Sequence, residues 1–270
     1  MLQTRLLTAI VLIPIVAALI YLGGLPYIAL VAAVAAVAEF EFTRLLGRGG
    51  FRAVHLTGVV IVGLCMVDVG LPNHNLWERG LPLILMVSLA WQVIRYPRSE
   101  VGEWTGPVAS GLYVGTTASY LVRLRTVPRD GLCWTLLVVA VTLMADTAAY
   151  GAGFFWGKHK LSPQLSPGKT VEGHLAGIIM GGVTGGAFGW LYRLGAGPEG
   201  SLRTVDGLLV GLLIAALAPL GDLAVSMAKR EAGVEDSGKL LPGHGGLLDR
   251  VDSLLFAAVL GHTYLAWFVN

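Results

Sequence analysis

The chain has 270 residues, of which 55% are hydrophobic and only 13% are charged, and its net charge is +2 at pH 7. Soluble domains carry about 25% charged residues, so this chain has too few charges to cover a water-facing surface. The composition excludes an ordinary soluble domain and predicts an integral membrane protein whose main partner is the lipid bilayer. We expect no nucleic acid among its partners.

Nine apolar segments are long enough for membrane helices, because a bilayer core takes about 20 apolar residues per helix, with a range of about 17–25. Glycine- and proline-rich breaks separate them. The predicted spans are 6–22, 27–43, 53–71, 80–95, 105–122, 131–152, 172–192, 204–227 and 249–268. The predicted fold is therefore an all-α polytopic bundle of about nine transmembrane helices. We expect N-terminal transmembrane helices over residues 1–100 and a C-terminal catalytic region over residues 101–270.

The distribution of lysine and arginine predicts the orientation of these spans. Nine spans place the two chain ends on opposite sides of the membrane. Thirteen of the 19 basic residues lie on the side of the N-terminus, and six lie on the other side. Because cytoplasmic loops carry the excess of basic residues, we expect a cytoplasmic N-terminus in an inner, cytoplasmic membrane. The polar loops 153–171 and 228–248 would then both face the cytoplasm.

Acidic residues inside the apolar segments are the first candidates for a special role. Glu39 and Glu41 lie near the cytoplasmic end of the second span, where we expect them to anchor the helix at the interface. Asp68 lies near the outer end of the third span and is expected to reach the membrane surface. Asp146 lies about two turns inside the sixth span, at a depth similar to that of Asp222. These two carboxylates could share one cavity, and a purely structural role for Asp146 stays open.

The segment Ser166–Glu172 contains Gly-Lys-Thr, which resembles the end of a phosphate-binding P-loop. That motif requires a glycine five residues before Gly168, where this chain has Pro163, and it follows a strand, which we do not expect here. We therefore exclude a P-loop. Ser166 and Thr170 could still cap the next helix, whose N-terminus would favour a nearby phosphate.

The predicted span 172–192 carries four glycines at a spacing of four residues: Gly177, Gly181, Gly185 and Gly189. They share one helix face, and such small residues let helix backbones approach closely in lipid. Two interpretations stay open, packing inside the bundle and a homodimer interface.

The densest polar cluster extends from the eighth predicted span into the ninth. On a helix one face would carry Asp222, Ser226 and Lys229. A carboxylate as deep in the membrane as Asp222 is energetically costly unless it is paired, bound to a metal or in a water-filled cavity. A glycine-rich turn around His244 precedes a helix start that bears Asp249. Carboxylates, basic groups and free backbone N–H groups suit a magnesium–phosphate site. The alternative is an ordinary cytoplasmic loop.

The run SMAKREAGVEDSGKLLPGHGGLLDRVD, residues 226–252, resembles the C-terminal signature of the phosphatidate cytidylyltransferases, also called CDP-diacylglycerol synthases. The segment LSPGKTVEG at 165–173, Asp146 and Gly221-Asp222 support the resemblance. Two positions differ from the usual signature. Ala228 replaces a larger aliphatic residue, and Glu235 stands where lysine is usual, which reverses a charge.

The resemblance implies transfer of CMP from CTP to phosphatidate, which gives CDP-diacylglycerol and pyrophosphate. It implies Mg²⁺ as cofactor, with a second cation such as K⁺ left open. The implied metal ligands are Asp222 and Asp249. The implied catalytic residues are Lys229, Arg230, Lys239, His244, Arg250 and Asp146. The implied substrate-binding residues are Ser166, Lys169, Thr170, Glu172, Ser226, Gly245, Gly246 and Asp252.

Two other functions are compatible with a polar site in a membrane protein. A CTP-dependent polyprenol or phytol kinase would move the terminal phosphate of CTP to an alcohol, and product analysis distinguishes it. A transporter would require inverted repeats with interrupted helices in both halves. The first half of the chain has nothing that corresponds to residues 221–252.

Overall fold

The structure is a computed structural model that describes residues 2–48, 55–71, 74–98, 100–197, 200–238, 240 and 245–269. Those ranges contain ten helices and a two-stranded sheet. The helices are α1 Leu2–Leu22, α2 Gly24–Arg48, α3 His55–Gly70, α4 Leu76–Arg95, α5 Gly102–Arg125, α6 Gly131–Trp156, α7 Val171–Ala196, α8 Thr204–Leu217, α9 Pro219–Glu231 and α10 Leu248–Phe268. The strands are β1 Lys160–Ser162 and β2 Ser166–Thr170.

Five helical stretches among the described residues are long and apolar enough to cross a membrane. They are Gly24–Arg48, Gly131–Trp156, Val171–Ala196, Thr204–Glu231 (α8 and α9 together) and Leu248–Phe268. Two shorter apolar helices cover Ile10–Leu22 and His55–Gly70. The predicted helical, multi-pass character is confirmed. The count of nine spans and the cytoplasmic N-terminus stay predictions.

The all-α expectation was wrong for the loop 153–171, which contains a small β-hairpin. β1 and β2 pair antiparallel, with Lys160 opposite Thr170 and Ser162 opposite Ser166. Pro163 begins the short connection between the strands, where its fixed φ suits a turn. The excluded P-loop stays excluded, because Lys169 and Thr170 lie within the second strand and not in a loop after it.

The eighth predicted span is interrupted between Leu217 and Pro219. α8 ends at Leu217 and α9 begins at Pro219. Proline has no N–H group, so it interrupts a helix but suits the first position of a new one. Asp222 therefore lies in the first turn of α9, where the positive end of the helix dipole favours a carboxylate.

The chain forms two compact units, and each is discontinuous in sequence. Unit 1 comprises Met1–Val122 and Met227–Val251, and unit 2 comprises Arg123–Ser226 and Asp252–Asn270. The predicted functional division near residue 100 stays a prediction.

The glycine face of α7 packs inside unit 2. A Cβ at Gly185 would overlap the carbonyl oxygen of Gly207 in α8, and one at Gly177 would lie 3.1 Å from the carbonyl oxygen of Ala145 in α6. Side chains would therefore force these backbones apart. The interpretation as internal packing is confirmed, and the homodimer stays a prediction. A buried apolar cluster around Trp134 completes the core of this unit.

Candidate active site

In unit 2 the hairpin brings a lysine to the carboxylate of α9. Lys169 Nζ lies 2.7 Å from Asp222 Oδ2 and donates to the carbonyl oxygen of Pro219 at 3.4 Å. Ser226 Oγ donates to Asp222 Oδ1 at 3.2 Å. The Asp222 side chain keeps 33% of its surface exposed. This carboxylate is thus paired yet partly exposed.

The hairpin is fixed at its base by residues that were predicted to bind substrate. Thr170 is the N-cap of α7, and its hydroxyl accepts a hydrogen bond from the Gly173 N–H at 3.1 Å. The Glu172 carboxylate accepts from the N–H groups of Lys158 and His159 and lies 2.6 Å from His159 Nδ1. The predicted cap at Thr170 is confirmed. Ser166 does not cap α7, because it pairs with Ser162 within the hairpin.

Asp146 belongs to the same neighbourhood. It lies on α6 and interacts electrostatically with both Lys169 and Asp222. Asp146 and Asp222 are therefore neighbours, and the shared cavity stays a prediction. Two carboxylates near one lysine leave a net negative charge that attracts a cation.

α9 also approaches the backbone of α10 within unit 2. A Cβ at Gly221 would overlap the carbonyl oxygen of Asp252 and would lie 2.9 Å from the Phe256 ring. The Asp252 side chain is buried, and its Oδ1 accepts from the Ser253 N–H at 2.6 Å. The residue before Asp222 therefore has to be a glycine if this contact is to form.

Unit 1 holds the second predicted metal ligand. Lys229 Nζ lies 2.7 Å from Asp249 Oδ1, and the exposed fractions of the two side chains are 16% and 11%. The N–H and the hydroxyl of Ser237 each lie 2.9 Å from Asp249 Oδ2. Both carboxylate oxygens thus have close donors.

Glu41 reaches the same segment from α2, and the sequence interpretation missed it. Its Oε2 accepts from the Leu248 N–H at 2.8 Å and lies 2.9 Å from the Ser237 hydroxyl oxygen. Glu41 and Glu39 are both buried, and Glu39 accepts from Thr43 and Ser110. The expectation of interfacial anchoring was therefore wrong for both. The signal was available, since a carboxylate within an apolar run must have internal partners.

The structure describes four of the six remaining predicted residues of the signature. Arg230 and Arg250 are exposed on α9 and α10. Gly245 has a φ of +80°, which favours glycine, and a Cβ there would lie 3.1 Å from Asp236 Oδ1. Gly246 is buried beside Ser237. Lys239 and His244 lie outside the described residues.

Asp222 and Asp249 are each, taken separately, chemically suited to magnesium. Among the described residues no three His, Cys, Asp or Glu side chains converge as a ready-made metal cluster. Magnesium does not require one, because it is usually bound through one or two carboxylates, several waters and substrate phosphates. Asp222 and Asp249 offer such oxygens, each beside a lysine that suits a phosphate.

Comparison of the sequence with known proteins identifies the family of this chain. The sequence profile of the cytidylyltransferase family matches residues 3–268. A phosphatidate cytidylyltransferase of Haemophilus influenzae is 35% identical over 290 residues and covers 100% of both chains. That of Bacillus subtilis is 30% identical over 98% of both chains. That of Brucella melitensis is 34% identical and covers 100% of this chain and 95% of its own length. The chain belongs to the cytidylyltransferase family.

Proposed function

We propose that this protein transfers the CMP moiety of CTP to phosphatidate, which yields CDP-diacylglycerol and pyrophosphate for phospholipid synthesis. The observation that carries the proposal is the similarity, over the full chain, to proteins named phosphatidate cytidylyltransferase. The two lysine–carboxylate pairs provide the groups that such a reaction uses.

The reaction has modest chemical demands. An oxygen of the lipid phosphate attacks the α-phosphorus of CTP, the bond to the β-phosphate breaks, and pyrophosphate leaves with its electron pair. The lipid phosphate is already anionic, so no strong base is needed. The enzyme has to align two anions and neutralise the charge that develops on the leaving group.

Each lysine–carboxylate pair can supply part of that neutralisation. Lys169 and Lys229 would exchange their carboxylate partners for substrate phosphates. Asp222 and Asp249 would hold magnesium, which neutralises charge on the departing pyrophosphate when it is bound. Asp146 would keep the surroundings of Asp222 negative.

The remaining predicted residues extend this arrangement. Arg230, Lys239 and Arg250 would neutralise further phosphate oxygens. His244 and the N–H groups of the glycine turn would donate hydrogen bonds to them. A second cation such as K⁺ is compatible with the neighbouring carboxylates of Asp146 and Asp222.

We expect CTP from the cytoplasm to meet a lipid held in the inner membrane. Single cysteines at Gln164 and Glu235, both exposed, in a background without Cys65 and Cys133 test this orientation. Neither should react with an impermeant thiol reagent that is added outside intact cells, and both should react in inverted vesicles. Labelling from outside would contradict the proposed topology and the nine spans on which it depends.

Labelled CTP tests the reaction itself. With purified protein, phosphatidate and Mg²⁺, label from the α-phosphate should enter the lipid fraction. Label from the γ-phosphate should appear in pyrophosphate. The opposite partition would establish a CTP-dependent lipid kinase instead, and no transfer of either label would contradict both enzymes.

A further inference from the structure

The carboxylate of Glu41 contacts the segment that presents Asp249, although 208 positions of sequence separate the two residues. We propose that Glu41 is a positioning residue that holds Asp249 ready for a divalent cation. The proposal rests on the proposed function, since it takes Asp249 to be a magnesium ligand. It assigns a role to a residue of α2, outside the signature.

The hydrogen bonds form a short chain from Glu41 to Asp249. Glu41 Oε2 and Asp249 Oδ2 each lie 2.9 Å from the Ser237 hydroxyl oxygen. A hydroxyl carries one proton, so Ser237 can donate to only one carboxylate at a time. Backbone N–H groups complete both ends: that of Ser237 donates to Asp249, and that of Leu248 donates to Glu41.

The same carboxylate fixes the start of α10. The first N–H groups of a helix have no partner within the helix, and Leu248 is the first residue of α10. Glu41 provides an acceptor for this N–H, and its negative charge faces the positive end of the helix dipole. Because Asp249 is the next residue, Glu41 determines where the first turn of α10 places it.

Packing leaves the Glu41 side chain little freedom. A Cβ at Gly238 would overlap Glu41 Oε1. A Cβ at Gly246 would overlap Ser237 Oγ and would lie 2.7 Å from Glu41 Oε2. Two glycines therefore enclose the carboxylate, so that its orientation is set by contact as well as by hydrogen bonds.

Direct cation binding tests the proposal without relying on turnover. Mn²⁺ replaces Mg²⁺ as the probe, and electron paramagnetic resonance of the free ion gives its Kd for the purified full-length protein in detergent. Loss of an outer-shell partner typically weakens metal binding about 10- to 100-fold. We expect that increase in Kd for Glu41→Ala and for Ser237→Ala. We expect Glu41→Gln to bind within about threefold of the parent, since its carbonyl oxygen can accept the same bonds.

Glu39→Gln is the matched control, because Glu39 is a buried glutamate of the same helix that bonds Thr43 and Ser110 instead. Its Kd for Mn²⁺ should equal that of the parent. Unchanged binding in Glu41→Ala would overturn the proposal, as would a glutamine variant as weak as the alanine variant. If Glu41→Ala cannot be purified, an unchanged Kd for Mn²⁺ in Ser237→Ala is sufficient to overturn the proposal.

The Mg²⁺ concentration for half-maximal CDP-diacylglycerol formation separates this proposal from the function on which it rests. An active parent whose Glu41→Ala and Ser237→Ala variants keep the same magnesium dependence contradicts only the role of Glu41. A parent without cytidylyl transfer contradicts the proposed function, whatever its Mn²⁺ binding shows.

Discussion

The two lysine–carboxylate pairs have the same N–O distance, 2.7 Å, but different surroundings. Asp222 is 33% exposed and receives its lysine from a hairpin about 50 residues earlier in the chain. Asp249 is 11% exposed and is surrounded by Lys229 and both donors of Ser237. The first pair is partly exposed, and the second is nearly enclosed.

The difference in exposure affects how easily each lysine can leave its carboxylate and how strongly each carboxylate depends on its donors. A partly exposed pair gains less net stability from its Coulomb attraction than an enclosed pair, so its lysine can leave at lower cost when a phosphate arrives. An enclosed carboxylate depends on every donor around it, because a lost donor is not replaced by water. Variants of the two pairs should therefore differ more in stability than in activity.

The largest effect is expected when either carboxylate loses its charge. Asp222→Asn and Asp249→Asn should each lower kcat/KM by more than about 100-fold, because an amide is a poorer magnesium ligand than a carboxylate. Both proteins should remain in the membrane. CDP-diacylglycerol formation at several Mg²⁺ concentrations measures the loss.

Asp68→Asn is the control for both variants, since Asp68 accepts a hydrogen bond from the Trp77 N–H at the start of α4. It should keep most of the activity. If Asp222→Asn or Asp249→Asn kept the parent rate and magnesium dependence, that residue could not be a required ligand.

Replacing each lysine should lower the stability of the folded protein by different amounts in the two pairs. Lys229→Met leaves Asp249 nearly enclosed without its cation and should cost about 2–3 kcal/mol. Lys169→Met leaves a carboxylate that water can reach and should cost less than about 1 kcal/mol. Thermal unfolding in detergent measures the shift of the unfolding midpoint of each variant from that of the parent protein. Equal shifts would show that the difference in exposure has no energetic consequence.

The smallest effect on activity is expected when the support of Asp222 is changed. Gly221→Ala places a methyl group against the Asp252 carbonyl oxygen and should lower stability by about 1–3 kcal/mol, with a moderate loss of activity. Gly151→Ala is the control, because nothing lies within 4 Å of a Cβ at that position. A Gly221→Ala protein as stable and active as the control would contradict the close approach of α9 and α10.

The sequence was most informative where local pattern determines structure. Apolar length indicated helices, and the polar run 226–252 indicated where the charged groups lie. The β-hairpin was missed, because Ser166–Thr170 has neither alternation nor β-branched residues apart from Thr170. The break before Pro219 was missed because the apolar composition continues across it. The position of Glu41 in an apolar run indicates that it has internal partners, but those partners lie about 200 positions away, and no local pattern identifies them.

That separation has a consequence for biosynthesis. Glu41 bonds Ser237 and Leu248, which are 196 and 207 positions later in the chain. At about 5–20 residues per second, the ribosome needs about 10–40 s to reach them after Glu41 has been made. During that interval α2 carries a carboxyl group in an apolar segment without its final donors. Unit 1 can therefore be completed only after unit 2 has been largely synthesised, although most of unit 1 is made first.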